Sequence, residues 1–318
     1  MDINRANLAV LFQGLSTSFQ AGLNNPADVR VLSELCTPAG SITAAELFAF
    51  LLRTVAWKVW PKGTDRQVQN VQSDYWRIEV ETFESTARIP FQDIQDDHLG
   101  LYGALVQQMG WSWLNKKIGR LCNMIIDNTP CCIRVGGGGS AYTNLFANTH
   151  PYGVHNVDNL DTLALDRANY VATRAIMQSW LYANGDPVGT YPNVLLCGPE
   201  LQDTAQQLFK AEMYLINGAG AGAISNILVG ENMIIVVRPE FNATAGVNKN
   251  VDASDYWCLL DTRQPIKPFV YINRMEANIL GPSDPEWVLR SGNADYLGTA
   301  RGEFSPTFPH LAYLQANT

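Results

Sequence analysis

The feature that most constrains this chain is a strand pattern followed by a very long helix pattern, between Tyr75 and Asn128. Residues 76–81 alternate between apolar and polar side chains, as in a strand with one buried face. After Asp97 the apolar residues recur about every 3.6 positions, which predicts one helix from about Asp97 to Asn128. Such a helix would be on the order of 45 Å long, which is longer than most helices of globular proteins. A helix of this length beside a projecting strand pair favours a scaffold for contacts between subunits over a catalytic pocket.

Three acidic residues, Asp93, Asp96 and Asp97, stand just before this helix. Acidic side chains at a helix start can cap free N–H groups and interact favourably with the helix dipole. The same residues could bind a metal ion together with His98, but no second group of ligands follows at a suitable spacing. We therefore predict an acidic helix start and no metal site.

Composition and charge exclude several functional classes. Of the 318 residues, 47% are hydrophobic and 16% are charged, which is enough to bury a substantial core in one elongated domain or two domains. The formal net charge of −8 argues against sequence-independent binding of nucleic acid. The basic residues Lys116, Lys117 and Arg120 are predicted to form a solvated or intersubunit face of the long helix.

The cysteines indicate a reducing environment. They form no Cys-x-x-Cys pair and no zinc pattern, and the adjacent pair Cys131-Cys132 has no predicted role. Reduced thiols fit folding in a cytoplasm. No signal peptide and no apolar stretch of 18 or more residues is evident, so we predict no membrane contact.

The remaining patterns predict an α+β protein. A short amphipathic helix opens the chain, and a second helix is predicted from Ser41 to about Arg53. The polar residues 57–74 and the strands after them predict a long β-hairpin with an exposed tip. Further helices are predicted at 160–183 and 200–214, and strands at 192–199, 233–237, 256–261, 268–272, 287–290, 294–301 and 310–314.

Candidate catalytic residues are few. His150 and His155 share a loop with Asp158 and Asp161, so a metal or acid–base site there is conceivable. No Gly-x-Ser-x-Gly or His-Glu-x-x-His motif accompanies them, and the glycines at 136–139 lack the ending of a phosphate-binding loop. A histidine bonded to the backbone in a packed loop is the simpler interpretation. We predict no catalytic residue, cofactor or metal.

Several motifs together resemble those of Mu-like phage major head subunits. The core motif is Phe83-Glu84-Ser85-Thr86, followed by Ile89 and the run from Asp93 to Tyr102. Four other stretches agree in order along nearly the whole chain: 19–23, 144–151, 192–199 and 257–269.

The resemblance implies a Hong Kong 97-type capsid fold, which has an N-terminal arm, an extended hairpin loop, a long spine helix, a peripheral sheet and an axial domain. On that pattern the chain divides into an arm at 1–52, a hairpin loop at 53–92, the spine helix and start of the peripheral domain at 93–159, an axial domain at 160–255, and return strands at 256–318 that complete both sheets.

The resemblance also implies a function. The chain would be a major capsid protein, not an enzyme, whose copies form pentamers and hexamers of an icosahedral head around double-stranded DNA. The implied partners are other copies of the chain and packaged DNA without sequence-specific binding, with scaffold, portal and decoration proteins as further candidates. The implied location is the virion, after assembly in the host cytoplasm.

Two groups of residues are candidates for intersubunit contacts. Trp57, Trp60 and Trp76 belong to the predicted hairpin, and aromatic anchors often carry much of an interface's binding energy. Small residues suit a crowded symmetry axis, which favours the glycine-rich loop with Gly218, Gly220 and Gly222 for that position.

Two alternatives remain open from the sequence. One is another virion component, such as a tail or decoration protein. The other is a soluble α+β metal-dependent enzyme that uses the His150–His155 loop.

Overall fold

The computed structural model describes residues 5–42, 45–51, 73–96, 101–134, 142–152, 154–182, 185–215, 223–281 and 285–317. Its α-helices are α1 (Arg5–Leu23), α2 (Pro26–Leu35), α3 (Phe91–Gln95), α4 (Leu101–Ile126), α5 (Arg167–Ser179), α6 (Gln202–Lys210) and α7 (Pro285–Ser291). Short 3₁₀ turns occupy Pro199–Leu201, Ile227–Glu231 and Pro309–Leu311.

The strands of the first half are β1 (Cys36–Gly40), β2 (Ala45–Leu51), β3 (Ser73–Glu79), β4 (Glu81–Pro90), β5 (Pro130–Arg134), β6 (Tyr142–Asn144), β7 (His150–Tyr152), β8 (His155–Val157) and β9 (Leu160–Asp161). Those of the second half are β10 (Val194–Cys197), β11 (Met213–Leu215), β12 (Ala223–Ser225), β13 (Ile234–Val237), β14 (Trp257–Leu260), β15 (Phe269–Leu280), β16 (Asn293–Pro306) and β17 (Ala312–Gln315).

Two sheets organise the described residues. We call the four-stranded sheet, in the order β1-β15-β16-β4, the first sheet, and the five-stranded sheet, in the order β13-β10-β14-β17-β9, the second sheet. The first sheet is built on the long antiparallel pair β15–β16, with β4 antiparallel to β16 and β1 parallel to β15. The mixture of helices and largely antiparallel strands is the predicted α+β arrangement.

The long helix α4 is confirmed, with 26 residues, and it packs against both α1 and the first sheet. Its contact with α1 is so close that a Cβ on Gly110 would collide with the backbone oxygen of Phe19. A Cβ on Gly22 of α1 would collide in the same way with the backbone oxygen of Gln107. Glycine at these two positions therefore lets the backbones of α1 and α4 touch.

A second core surrounds the second sheet. Every residue of β10, β14 and β17 is buried, as expected of central strands covered on both faces. Trp257 of β14 is fully buried and donates its indole N–H to the backbone oxygen of Leu163, 2.8 Å away. The amphipathic helices α5 and α6 contribute Tyr170 and Phe209, whose rings meet edge to face with centroids 4.8 Å apart.

Two predicted elements are wrong. Residues 45–51 form β2 and not a helix, because they pair in antiparallel register with β3, a partner more than twenty residues away. The predicted strand from Trp287 to Arg290 is the helix α7. Proline at its first position, Glu286 in its first turn and Arg290 in its last turn are typical helix signals.

Other predictions need adjusted boundaries. The helix predicted at 160–183 begins only at Arg167, because the carboxylate of Asp166 caps it by accepting from the backbone N–H of Asn169 at 2.7 Å. The helix predicted at 200–214 ends at Lys210 and is followed by β11.

The acidic run before α4 also differs from the prediction. Asp93 lies in the separate short helix α3, and Asp96 follows as its C-terminal cap. Asp97 and His98 lie outside the described residues, as do the glycines at 136–139. Within the described part of the chain, no helix is both long and apolar enough to cross a membrane.

Candidate assembly surface

The predicted hairpin has its base in β2 and β3. Seven residue pairs join the two strands, from Ala45 opposite Glu79 to Leu51 opposite Ser73, and among the described residues neither strand joins another sheet. Ile78 anchors the base, because it is buried against Val270 and Ile272 of β15. A two-stranded ribbon on its own is marginally stable in water, so this hairpin needs support from elsewhere.

Most predicted contact residues lie outside the described part of the chain. Trp57 and Trp60 fall within 52–72, which joins β2 to β3, and Gly218, Gly220 and Gly222 fall within 216–222, which joins β11 to β12. Trp76 lies in β3, where its backbone pairs with that of Phe48. The structure therefore leaves these six predicted contacts as predictions.

The first sheet has an open outer face that the sequence reasoning missed. Ala277 and Ile279 point towards α1 and α4, so the intervening residues of β15 point the other way. On that side Leu280 stands directly opposite Leu297 of β16, and the two side chains are 52% and 42% exposed. The paired leucines form what we call the outer sheet face.

An ion pair borders the outer sheet face. The guanidinium of Arg88 donates two hydrogen bonds to the carboxylate of Asp295, both 2.8 Å long. The hydrogen bond from Arg88 lowers the pKa of the Asp295 carboxyl. Because Arg88 is exposed, the pair adds little to stability, but it leaves this border without net charge.

A second apolar surface lies on α5. One side of the helix buries Tyr170, Thr173 and Met177. The opposite side exposes small and aliphatic residues at helical spacing, which are Ala168, Val171, Ala172, Ala175 and Ile176, with the polar Ser179 at its C-terminal end. We call this set the α5 stripe. Small side chains would let another helix approach closely.

The structure also contains a buried ion pair that the sequence did not predict. Asp28 of α2 accepts a hydrogen bond from the indole N–H of Trp111 at 2.9 Å and another from the guanidinium of Arg238 at 3.2 Å. Arg238 also donates two 3.0 Å bonds to Glu240. We call these four residues the Asp28 cluster. It ties α2 to α4 and to the segment after β13.

The basic residues of α4 do not form the predicted solvated or intersubunit face. Arg120 pairs with Glu303 and, at 2.9 Å, with Glu81, so it links α4 to β16 and β4. Lys117 is half-buried with its ammonium 3.9 Å from the ring centre of Tyr271, and burial lowers its pKa. Only Lys116 is exposed, because the other two cations face neighbouring elements of the same subunit.

The histidine loop has a structural role. The Nε2–H of His150 faces the backbone oxygen of Leu145 at 3.0 Å and the side-chain oxygen of Asn159 at 3.1 Å. Its Nδ1 lies 3.3 Å from the hydroxyl of Thr143, so both ring nitrogens have partners. Burial lowers the pKa of His150 to about 4 and holds the ring neutral. A histidine bonded to the backbone in a packed loop is therefore confirmed.

In the described part of the chain, no other arrangement suggests chemistry. Among the described residues, no group of three or more His, Cys, Asp or Glu side chains could hold a metal ion. Cys36, Cys122, Cys197 and Cys258 are buried and unpaired, and burial raises the pKa of each thiol, which keeps them protonated and unreactive.

Family models match most of the chain. The Mu-like prophage major head subunit gpT model matches residues 8–133, and a phage capsid protein model matches residues 76–288. The major capsid protein of Escherichia phage Mu is 27% identical over 112 residues, and the match covers 35% of this chain and 35% of that protein. The alignment thus spans about a third of the curated relative.

Solved capsid structures share the fold. The procapsid of bacteriophage JBD30 matches with a TM-score of 0.54 at 19% identity, covering 98% of this chain and 76% of that one. The mature capsid of bacteriophage PhiM1 matches with a TM-score of 0.53 at 14% identity, covering 88% and 85%. A virus-like particle from Pyrococcus furiosus matches with a TM-score of 0.52 at 11% identity, covering 96% and 98%. These likenesses confirm the α+β fold of the Hong Kong 97 type.

Proposed function

The chain belongs to the phage capsid protein family and is a structural protein of a phage head, and we propose that its copies are the major subunits that form pentamers and hexamers of an icosahedral shell. The observation that carries the proposal is the family match over 76–288, joined to a fold shared with capsid subunits. The family match disfavours the tail, decoration and enzyme alternatives.

Within a capsomer, the hairpin of one copy would lie on the outer sheet face of its neighbour. The hairpin needs support from another copy, and the paired leucines 280 and 297 offer an exposed apolar surface that suits its tryptophan side chains. Trp57 and Trp60 would anchor it there, with Trp76 nearer the base.

Charge supports the same contact. Residues 52–72 contain four basic residues, Arg53, Lys58, Lys62 and Arg66, and one acidic residue, Asp65. The chain as a whole has a net charge of −8, so the rest of each copy is strongly acidic. A basic segment of one copy is therefore attracted to the acidic surface of another.

We keep the five segments predicted from the sequence as the division of the subunit. Of these, the axial domain at 160–255 would make the contacts around the capsomer axis. The α5 stripe belongs to this region and would pack against the next copy around the capsomer axis. Gly218, Gly220 and Gly222 would lie close to that axis, where bulky side chains do not fit.

Further partners belong to the same proposal. The shell would enclose double-stranded DNA, and an acidic protein gives no reason for sequence-specific binding. Scaffold, portal and decoration proteins are candidate partners of the assembled head. Four buried, unpaired cysteines suit assembly in the reducing host cytoplasm.

The test is the particle state of the purified protein, by negative-stain imaging with light scattering. We expect shells or capsomer rings for the natural sequence. Leu297→Lys should reduce both, because hairpin docking would bury a lysine ammonium. Val154→Lys, which places the same charge on an exposed residue between β7 and β8, outside the first sheet, is the matched control. A monodisperse monomer of the natural sequence under all conditions would contradict the proposal.

A further inference from the structure

The strand β4 is a long free edge of the first sheet. It pairs with β16 over ten residues in an unbroken register, and no described strand pairs with its other side. The opposite edge of the same sheet, β1, has five residues with Pro38 in their middle. The edge strands of the second sheet, β13 and β9, have four and two residues. Free edges are usually short or interrupted, because a long one pairs with other chains. Among these edges, β4 is the exception.

One hydrogen bond shows which backbone groups of β4 are free. The N–H of Phe91, directly after β4, donates to the backbone oxygen of Gly292 on the β16 side, 2.9 Å away. Hydrogen-bonded and non-hydrogen-bonded positions alternate along an antiparallel pair. The N–H groups that point away from β16 therefore belong to every second residue: Thr82, Glu84, Thr86 and Arg88. No described residue accepts a backbone hydrogen bond from them.

The charged side chains of β4 give this edge little protection. Charged residues often guard a free edge by repelling a second strand. On β4, Arg88 pairs with Asp295 of β16 and Glu81 pairs with Arg120 of α4, so both of these charges are engaged within the subunit. Glu84 is the remaining charged residue of the strand. One carboxylate in ten residues is a weak barrier to another strand.

The hairpin supplies a second free edge, on β2. No described strand other than β3 pairs with β2, whereas β5 packs beside β3. Six of its seven residues are apolar, in the sequence AELFAFL. An apolar strand with a free edge pairs with other chains unless it is covered. Seven residues extend about 24 Å, which matches the stretch 82–88 that carries the outward N–H groups of β4.

We infer that β2 of one copy adds to β4 of the neighbouring copy, so that the hairpin docks through backbone hydrogen bonds. The inference rests on the proposed capsid function and specifies how the hairpin is held. Strand addition satisfies the free backbone groups of both strands at once. It also joins the two strands of the hairpin to a larger sheet, and a two-stranded ribbon needs such support in water.

The symmetry of a ring favours this pair of strands over two copies of β4. Pairing of β4 with β4 would be a two-fold contact, which closes on itself as a dimer. Pairing of β2 with β4 uses two different surfaces, so each copy binds one neighbour on each side and a ring can close. The docked strand would also adjoin the outer sheet face, because Thr86 of β4 stands opposite Leu297.

Hydrogen exchange tests strand addition directly. In the unassembled subunit at low concentration, the amides of Thr82, Glu84 and Thr86 should exchange fast, whereas those of Phe83 and Ser85, which face β16, should be protected. In rings or shells the first set should slow about a hundredfold or more. Mass spectrometry with fragmentation that resolves single amides makes the measurement. Equal exchange of the first set in both forms would overturn the inference.

A proline variant tests whether assembly needs the free edge. Thr86→Pro removes one outward N–H, and proline is tolerated on an edge strand, so the subunit should unfold at nearly the same urea concentration. Rings and shells, counted by sedimentation and negative-stain imaging, should fall about tenfold or more. Thr86→Val keeps the N–H and is the matched control. If Thr86→Pro assembles as well as Thr86→Val, the inference is wrong.

Paired cysteines identify the strand that binds to β4. Thr86→Cys, combined in turn with a cysteine at each position of 45–51, should give disulfide-linked multimers for at least one pair when particles are oxidised. A linked dimer of Thr86→Cys alone would show that two copies of β4 pair, which would overturn the inference, as would failure of every pair to link. Absence of rings and shells in the natural sequence would instead count against the proposed function.

Discussion

At the residue scale, Asp28 connects α2 to α4 and to the segment after β13. Its carboxylate is buried and accepts from Trp111 of α4 and Arg238 after β13. Removing one member of a buried hydrogen-bonded ion pair leaves the partners short of bonds, which is costlier than losing an exposed pair. The Asp28 cluster should therefore be sensitive to single substitutions.

We predict that Asp28→Ala lowers the free energy of unfolding by about 1–3 kcal/mol, because Trp111 loses its acceptor and Arg238 loses one of its two carboxylates. Asp93→Ala, on the exposed surface of α3, should change it by less than about 0.5 kcal/mol. Urea unfolding of the two variants makes the comparison. If Asp28→Ala lowers the free energy of unfolding no more than Asp93→Ala does, the Asp28 cluster adds no stability.

The buried histidines make stability depend on pH. Burial lowers the pKa of His150 from 6.5 to about 4, and that of His310 from 6.5 to about 3. Below pH 6.5 the unfolded chain binds protons at these sites and the folded chain does not. The free energy of unfolding therefore decreases as the pH is lowered. The loss levels off below about pH 3 to 4, where the folded state binds the protons as well.

We predict that each buried histidine costs about 2 kcal/mol of stability between pH 7 and pH 5. A His150→Asn variant should show a shallower fall over that range, even if it is less stable at pH 7. Unfolding in urea at both pH values measures how much the free energy of unfolding changes between pH 7 and pH 5, which we call the slope. An unchanged slope in His150→Asn would mean that His150 carries no part of the pH dependence.

At the element scale, the contact between α1 and α4 depends on glycine. We predict that Gly110→Ala lowers the free energy of unfolding by about 1–3 kcal/mol, because the new methyl group meets the backbone of Phe19. Gly14→Ala makes the same chemical change within α1, where nothing lies within 4 Å of the new methyl group. Alanine is the better helix former, so Gly14→Ala should be neutral or stabilising by up to about 1 kcal/mol.

Thermal unfolding of the two glycine variants decides between close packing and helix propensity. If propensity dominated, both variants would be stabilised. A rise in melting temperature for Gly110→Ala would show that α1 and α4 separate easily.

The long helix could be predicted from sequence because its period persists over 26 residues. Short segments could not be predicted in the same way. Residues 45–51 have apolar spacing that suits a helix, but pairing with β3 decides their structure, and that partner is distant in the chain. Residues 287–290 look like a strand only if Pro285 and the charges at both ends of α7 are overlooked. Local patterns fail where a distant contact decides.

At the scale of the whole molecule, motifs along nearly the full chain predicted the family and fold, but not the surfaces. Ile279 and Leu280 are neighbouring aliphatic residues that the sequence does not distinguish. Ile279 is buried because it faces α4, and Leu280 is exposed because it points the other way. The Asp28 cluster joins residues more than 200 positions apart, which no local pattern shows. Exposure and long-range ion pairs are properties of the packed subunit, so they had to come from the structure.

We expect charge to control how fast copies of the chain assemble. At about 0.01 M salt the screening length is about 30 Å, so two copies with net charge −8 repel as whole molecules; at about 0.15 M it is about 8 Å, and only local charges matter. We predict that the rate of shell formation, followed by light scattering, rises between these two salt concentrations. Under local screening, attraction by the basic segment 52–72 outweighs the general repulsion.

A matched pair of variants separates local attraction from net charge. Lys58→Glu/Lys62→Glu changes the net charge from −8 to −12, since each substitution subtracts two charges. Lys116→Glu/Lys210→Glu makes the same change at exposed positions of α4 and α6. If the hairpin docks through its basic residues, the first variant should assemble much more slowly than the second at about 0.15 M salt. Equal rates would mean that net charge alone controls assembly and that the hairpin's lysines contribute no specific attraction.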